Sequence, residues 1–134
     1  MTKVSERIEL LMNKKLVASF VSITEDGFPH IVPLWLVTDG EKLYFSAYDH
    51  SKKIRNLIAN QKSALSVVDP SGGPYFSVYG TSKILDKNNF DRYEVVITKI
   101  VKKYLPVEKF EDGMNERMNH PNRILVEFTP IKYY

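Results

Sequence analysis

The chain contains no cysteine. That excludes a disulfide framework, a thiolate nucleophile and any cysteine-ligated metal, and it leans toward an intracellular protein. Histidine is also scarce: His30, His50 and His120 are the three present, and no two stand at HxxxH or HxH spacing. A zinc centre would need carboxylates converging from distant loops, so no metal is expected. No run approaches the roughly 18 apolar residues of a membrane span. The opening stretch, MTKVSERIELLMNKK, is charged throughout and has no apolar signal core. A soluble, cytoplasmic chain with no membrane partner is the expectation. The sequence has no GxxxxGK[ST] loop, no GxGxxG and no GxSxG. A glycine-cradled phosphate and a nucleophile elbow are thereby excluded. Glu6, Glu9, Asp86, Asp91 and Glu94 are scattered and read as caps and solvated faces.

What is present fits one domain over residues 1–134, long enough for a single sizeable core. A formal charge of +3 permits an anionic ligand without demanding one. Val4, Ile8, Leu11 and Met12 stand at helical spacing, with Ser5 as an N-cap. Residues 16–48 read as a three-stranded meander punctuated by Asp26-Gly27 and Asp39-Gly40. A helix follows Ser51, with Ile54, Leu57 and Ile58 as its buried stripe. SALSVVD and YFSVYGTSKILD make the fourth and fifth strands across a Pro/Gly turn, and Gly80 marks a bulge or bend. Phe90, Tyr93, Ile97, Ile100 and Tyr104 form a helix face that ends at Pro106. A short helix over residues 108–119 precedes the sixth strand, RILVEFTPI. The fold expected is a mainly β protein, a six-stranded antiparallel Greek-key split barrel with peripheral helices, whose last strand pairs non-locally.

SAYDHSKKIRNL, residues 46–57, places Lys52, Lys53 and Arg55 in the first turn of a helix. Cations there oppose the helix dipole by about 0.3–1 kcal/mol each at low salt. A solvated surface is the plain explanation of such a cluster. A bound phosphate explains more, because it would satisfy the free amides, the dipole and the cations together. Pro33, inside an apolar run, predicts an edge or an interruption of strand pairing that frees backbone groups for a ligand. Trp35 beside it suits either a subunit interface or the core.

Four segments, EDGFPHIVPLW, DGEKLYFSAY, SKKIRNLIANQKSALSVVD and YFSVYGTSKILD, occur in an order that resembles the pyridoxamine 5'-phosphate oxidase-like split-barrel flavoproteins. That family has FMN-binding members and a branch that uses the deazaflavin F420. The resemblance implies a homodimer with cofactor sites at the subunit interface. It implies that Ser51, Lys52 or Lys53, and Asn56 hold the cofactor phosphate, with Ser46 nearby. The strand through His30, Ile31, Val32, Pro33 and Leu34 would lie against the ring system, with Trp35 or the YFSVYG strand contributing contacts from the partner. The function implied is FMN- or F420-dependent hydride transfer to or from a small organic substrate. The protein then supplies binding and electrostatics while the cofactor carries the chemistry, so no catalytic residue is singled out. For F420, Arg55, Lys62, Lys99, Lys102 and Lys103 are candidates for a basic groove under its anionic tail. The pyridoxamine 5'-phosphate oxidase substrate itself is not expected, since FTPIKYY is not followed by the arginine and histidine segment that grips it.

Two other readings compete. One is a non-catalytic module that holds a flavin or tetrapyrrole. The other is a nucleic-acid-binding barrel using Tyr75, Phe76 and Tyr79 with the basic cluster. Against the latter stand the modest charge, the lack of an RNP1-like motif and the alternation that puts Phe76 on the opposite face from Tyr75 and Tyr79.

Overall fold

The computed structural model describes residues 4–134. Strand β1 (Val17–Ile23) turns at Asp26-Gly27 into β2 (Pro29–Trp35), pairing Val17 with Trp35 and Ile23 with Pro29. Strand β3 (Val37–Asp39) turns at Gly40 into β4 (Lys42–Tyr48). Gly27 and Gly40 have φ of 87° and 66°, the left-handed region these tight turns require and only glycine enters freely. Helix α2 (Lys52–Ala59), strands β5 (Lys62–Val68) and β6 (Tyr75–Leu85), helix α3 (Tyr93–Tyr104), a 3₁₀ turn (Val107–Lys109), helix α4 (Phe110–Asn119) and strand β7 (Arg123–Tyr133) complete the chain after α1 (Val4–Met12).

All strand pairs are antiparallel, in the order β2-β1-β5-β6-β7-β4-β3. The sheet curls, and its two edge strands are joined through Leu36 alone. There are seven strands where six were expected. The expected second strand breaks at Leu36, so its first half pairs with β1 and its second with β4. The last strand inserts between β6 and β4, the non-local pairing that was expected. At Gly80 the register slips: Tyr79 faces Lys132 and Gly80 faces Pro130, leaving Ile131 as the extra residue of a bulge in β7.

Alternation along β4 and β7 builds two cores. Phe45, Ala47, Ile124, Val126 and Phe128 point into the barrel, where they meet Phe20, Leu65 and Phe76. Tyr44 and Leu125 point outward into a second cluster with Tyr93, Val96, Ile97, Ile100, Val101 and Tyr104 of α3. Burial of each such side chain contributes roughly 1.5–3 kcal/mol. These strands are therefore covered on both faces, and polar residues on their outer face are held under helices.

Two local expectations are corrected. Ser5 lies inside α1, not at its cap. Ile58 is 71% exposed, because α2 seats on the barrel with Ile54, Asn56 and Leu57 turned inward instead.

Asp39, at the end of β3, accepts two hydrogen bonds from Arg92 and one from Lys99. Chiefly through Arg92, these hold its carboxyl down to about 2. A carboxylate lowered on folding stabilises the native state above its ordinary titration range, and that contribution is lost as pH falls from about 4 toward 2. Asp39→Asn is expected to lower the melting temperature at neutral pH and to flatten its fall below pH 4, measured by thermal melts across pH. An acid limb as steep as the parent's would assign the acid sensitivity elsewhere.

Candidate cofactor site

Where β2 ends, a cleft of about 250 Å³ opens between β4, the start of α2, α3 and α4. Pro33, Leu34, Trp35, Ser46, Lys53, Ile100, Arg117 and Arg123 line it. Five of these (Pro33, Leu34, Trp35, Ser46 and Lys53) were read from the sequence as site residues. Arg117 of α4 and Arg123 of β7 were not.

Each element delivers its residue for a local reason. Pro33 sits on β2, at one edge of the sheet order, as a proline within a strand requires. Ser46 is on the outward side of β4, and Arg123 lies opposite Tyr48 on the neighbouring strand. Lys53 flanks the buried stripe of α2 and is half-buried, whereas Lys52 and Arg55 face solvent. Trp35 packs on Tyr104 with ring centroids 4.9 Å apart and planes 4° from parallel. The Arg117 guanidinium lies 5.6 Å from the Trp35 ring centroid, and that of Arg123 lies 4.1 Å from the ring of Tyr48.

The cleft gathers cations with few partners. Arg123 Nη1 donates to Ser46 Oγ at 3.2 Å and Arg117 Nη1 to the Gly113 carbonyl at 3.1 Å. The Nε atoms of both arginines are buried with no hydrogen-bond partner among the described residues. Burial lowers the Lys53 ammonium below its ordinary range, and repulsion from Arg123 adds to this. Burial likewise lowers Arg117, again with Arg123 contributing. Three cations held together and partly desolvated are an electrostatic cost that an anion would relieve. Glu116 is the nearby carboxylate: it accepts from Tyr48 Oη at 2.5 Å and lies 3.6 Å from Arg123 Nε.

The other expected site residues do not line this cleft. Lys52 is exposed. Asn56 is buried and donates through Nδ2 to Ser22 Oγ at 3.0 Å, tying α2 to β1. Ser51 stands at the N-cap position, but its hydroxyl donates to the Tyr48 carbonyl at 2.9 Å and makes no cap. The first turn of α2 is thereby left without a side-chain cap. Val32 packs against the barrel core, His30 is half-buried beside Ser22, and Ile31 points outward. Lys99, Lys102 and Lys103 line a different groove, of about 450 Å³, with Asn13 and Thr38. No group of three or more metal-capable side chains occurs among the described residues, nor does any helix there have the length and apolarity to cross a membrane.

The fold of a curled antiparallel sheet with peripheral helices recurs in known proteins. An F420 reductase shares 24% identity, covers 94% of each chain and superposes with a TM-score of 0.69. General Stress Protein 26 from Bacillus anthracis shares 17% identity over 99% of this chain and 93% of its own, with a TM-score of 0.73. HutZ, the heme storage protein from Vibrio cholerae, shares 11% over 99% and 94%, with a TM-score of 0.77. Likeness at these identities shows a shared fold. Among curated proteins none matches the sequence. A family model described as pyridoxamine 5'-phosphate oxidase matches residues 4–134. With fold and sequence model in agreement over the whole described chain, this protein belongs to the pyridoxamine 5'-phosphate oxidase family.

Proposed function

We propose that the chain is a flavin- or deazaflavin-dependent oxidoreductase, binding FMN or F420 through its phosphate and acting on a small organic substrate. The observation that carries this is the convergence of Lys53, Arg117 and Arg123 on one cleft, with the buried Arg117 Nε lacking an acceptor among the described residues. The donor set fits a phosphate. Ser46 and Arg123 would hold one side of it and Lys53 and Arg117 the other. Pro33, Leu34 and Trp35 lie alongside, offering an apolar wall and edge-strand backbone to a planar ring. When bound, a flavin or deazaflavin supplies the hydride transfer, and the protein's task is to bind and orient it and to keep water from the ring. Likeness to an F420 reductase supports the deazaflavin variant of this reading.

The outer face of β2, β1, β5 and β6 supports a homodimer. Ile31 is 64% exposed and Tyr79 44%, with Val17, Val68, Tyr75 and Tyr134 also uncovered. Two adjoining depressions of about 420 and 430 Å³ run across this face. An apolar surface of that extent is what a self-complementary interface buries. Tyr79→Arg is expected to yield a monomer with weakened cofactor binding, read by sedimentation velocity and by titration. A parent protein that is monomeric yet binds cofactor would contradict the dimer.

Likeness to a heme storage protein supports a second reading, a module that holds a pigment without turnover. The separating experiment reduces the loaded protein chemically without oxygen and adds organic acceptors. Repeated reoxidation cycles support the oxidoreductase, and a bound pigment that never turns over supports storage.

A further inference from the structure

Leu36 belongs to neither ladder: β1 pairs with β2 as far as Trp35, and β4 pairs with β3 from Val37. The residue is buried, so its N–H and C=O would each be costly to leave unpaired. Both find partners in the last turn of α3. Tyr104 Oη accepts from the Leu36 N–H at 3.1 Å, and Lys103 Nζ donates to the Leu36 carbonyl at 2.8 Å. The Tyr104 hydroxyl proton goes to the Leu16 carbonyl at 2.6 Å, just ahead of β1, with the Leu36 carbonyl farther off at 3.2 Å. One phenol therefore ties the entry of β1 to the point where the edge strand divides. Its ring makes a second contact, the near-parallel stack with Trp35. Tyr104 is itself buried and lines no part of the cleft, whereas Trp35 does.

We infer that Tyr104 is a positioning residue: through Leu36 and the stacked ring it fixes Trp35 as the wall that meets the cofactor's ring system, with Lys103 as the second half of the clasp. The ring-wall role rests on the cofactor reading above, and the hold on Trp35 does not. Stacking on Tyr104 occupies one face of the indole, so the surface left to a ligand ring is set from α3. A wall already fixed in the free protein needs no ordering when the ligand arrives, which favours binding. The clasp acts on the ring end of the cleft. Lys53 and Arg123 reach the cleft from α2 and β7, and neither makes a hydrogen bond to Tyr104 or Lys103 among the described residues.

Trp35 is the only tryptophan of the chain, so its emission reports on this wall alone. Two variants loosen the clasp at different atoms. Tyr104→Phe keeps the stacked ring and loses the hydroxyl, and Lys103→Met keeps an apolar stem and loses the donor. Burial lowers the Lys103 ammonium to about 8, so losing its charge costs the fold little, and this variant carries the test should Tyr104→Phe fold poorly. Acrylamide quenching of the ligand-free proteins, with titrations against FMN, F420 and inorganic phosphate, reads the two halves separately. In both variants quenching of Trp35 is expected to rise. The cofactor that the parent binds is expected to weaken by about threefold to tenfold, the scale of one aromatic stack, while inorganic phosphate binds as in the parent. Unchanged quenching in both variants would overturn the inference, whatever the cofactor does. Raised quenching with unchanged cofactor affinity would overturn the ring-wall role. Equal weakening of cofactor and phosphate would make Tyr104 a general support of the fold and overturn its positioning role. Should the parent bind neither FMN nor F420, the cofactor reading falls and takes the ring-wall role with it, while raised quenching still upholds the hold on Trp35.

Discussion

Lys53→Ala is expected to weaken FMN or F420 binding by roughly a hundredfold, the usual cost of removing a desolvated charge from a hydrogen-bonded ionic contact. Lys53 is half-buried on the wall of the cleft. Burial and the nearby Arg123 already strain its charged form, so the free protein gains little from this ammonium. It has no ion-pair partner among the described residues, and truncation orphans no carboxylate. The fold should therefore survive, with a melting temperature equal to the parent's or slightly above it. Lys52→Ala, one residue earlier but exposed, is the control and should change affinity by less than about threefold. Calorimetric titration with parallel melts reads both quantities. Unchanged affinity in Lys53→Ala would remove the phosphate from this cleft.

The largest effect on stability is expected at Gly80. A Cβ built there would stand 2.1 Å from the Thr129 carbonyl oxygen and 3.0 Å from the Phe128 ring. The obstacle is backbone, and it belongs to the strand that bulges at Ile131, so neither side can step aside cheaply. Gly80→Ala should cost about 3 kcal/mol or more and lower the melting temperature by about 10 °C. Gly73→Ala is the matched control. Its Cβ would meet Asp69 at 3.4 Å, an ordinary contact, and its effect should stay within about 0.5 kcal/mol. A mild Gly80→Ala would mean that β6 and β7 can separate at the bulge without loss.

Much of this fold is legible in the chain because its signals are local. Asp26-Gly27 and Asp39-Gly40 mark both hairpins, and the spacing of Tyr93, Ile97, Ile100 and Tyr104 gives the buried face of α3. The break at Leu36 is not legible. HIVPLWLV contains no turn residue at that point, and the strand divides only because the curled sheet hands it from β1 to β4. The candidate site divides the same way. Basic residues at the start of α2 point to an anion, but which lysine turns inward depends on how the helix seats against the barrel. Lys53 flanks Ile54 and Leu57, and helical spacing from those two carries the only signal that separates it from Lys52. Asn56 shares that inward side, yet it serves Ser22. Arg117 and Arg123 escape a sequence reading because they lie more than sixty positions from Lys53. Their hints are weak: an arginine between Met114 and Met118, and another opening a strand that is apolar for its next three residues. Both strand faces of β7 are covered, and that burial makes a charged first residue informative.

The most direct measurement is a crystal structure of the protein grown with FMN or F420, examined for the position of the phosphorus. The account predicts phosphate oxygens within hydrogen-bonding distance of Lys53, Arg117 and Arg123, with the ring system along Pro33, Leu34 and Trp35. A phosphate found instead among Lys99, Lys102 and Lys103, or anywhere out of reach of Lys53 and of the Arg117 and Arg123 guanidiniums, would contradict it.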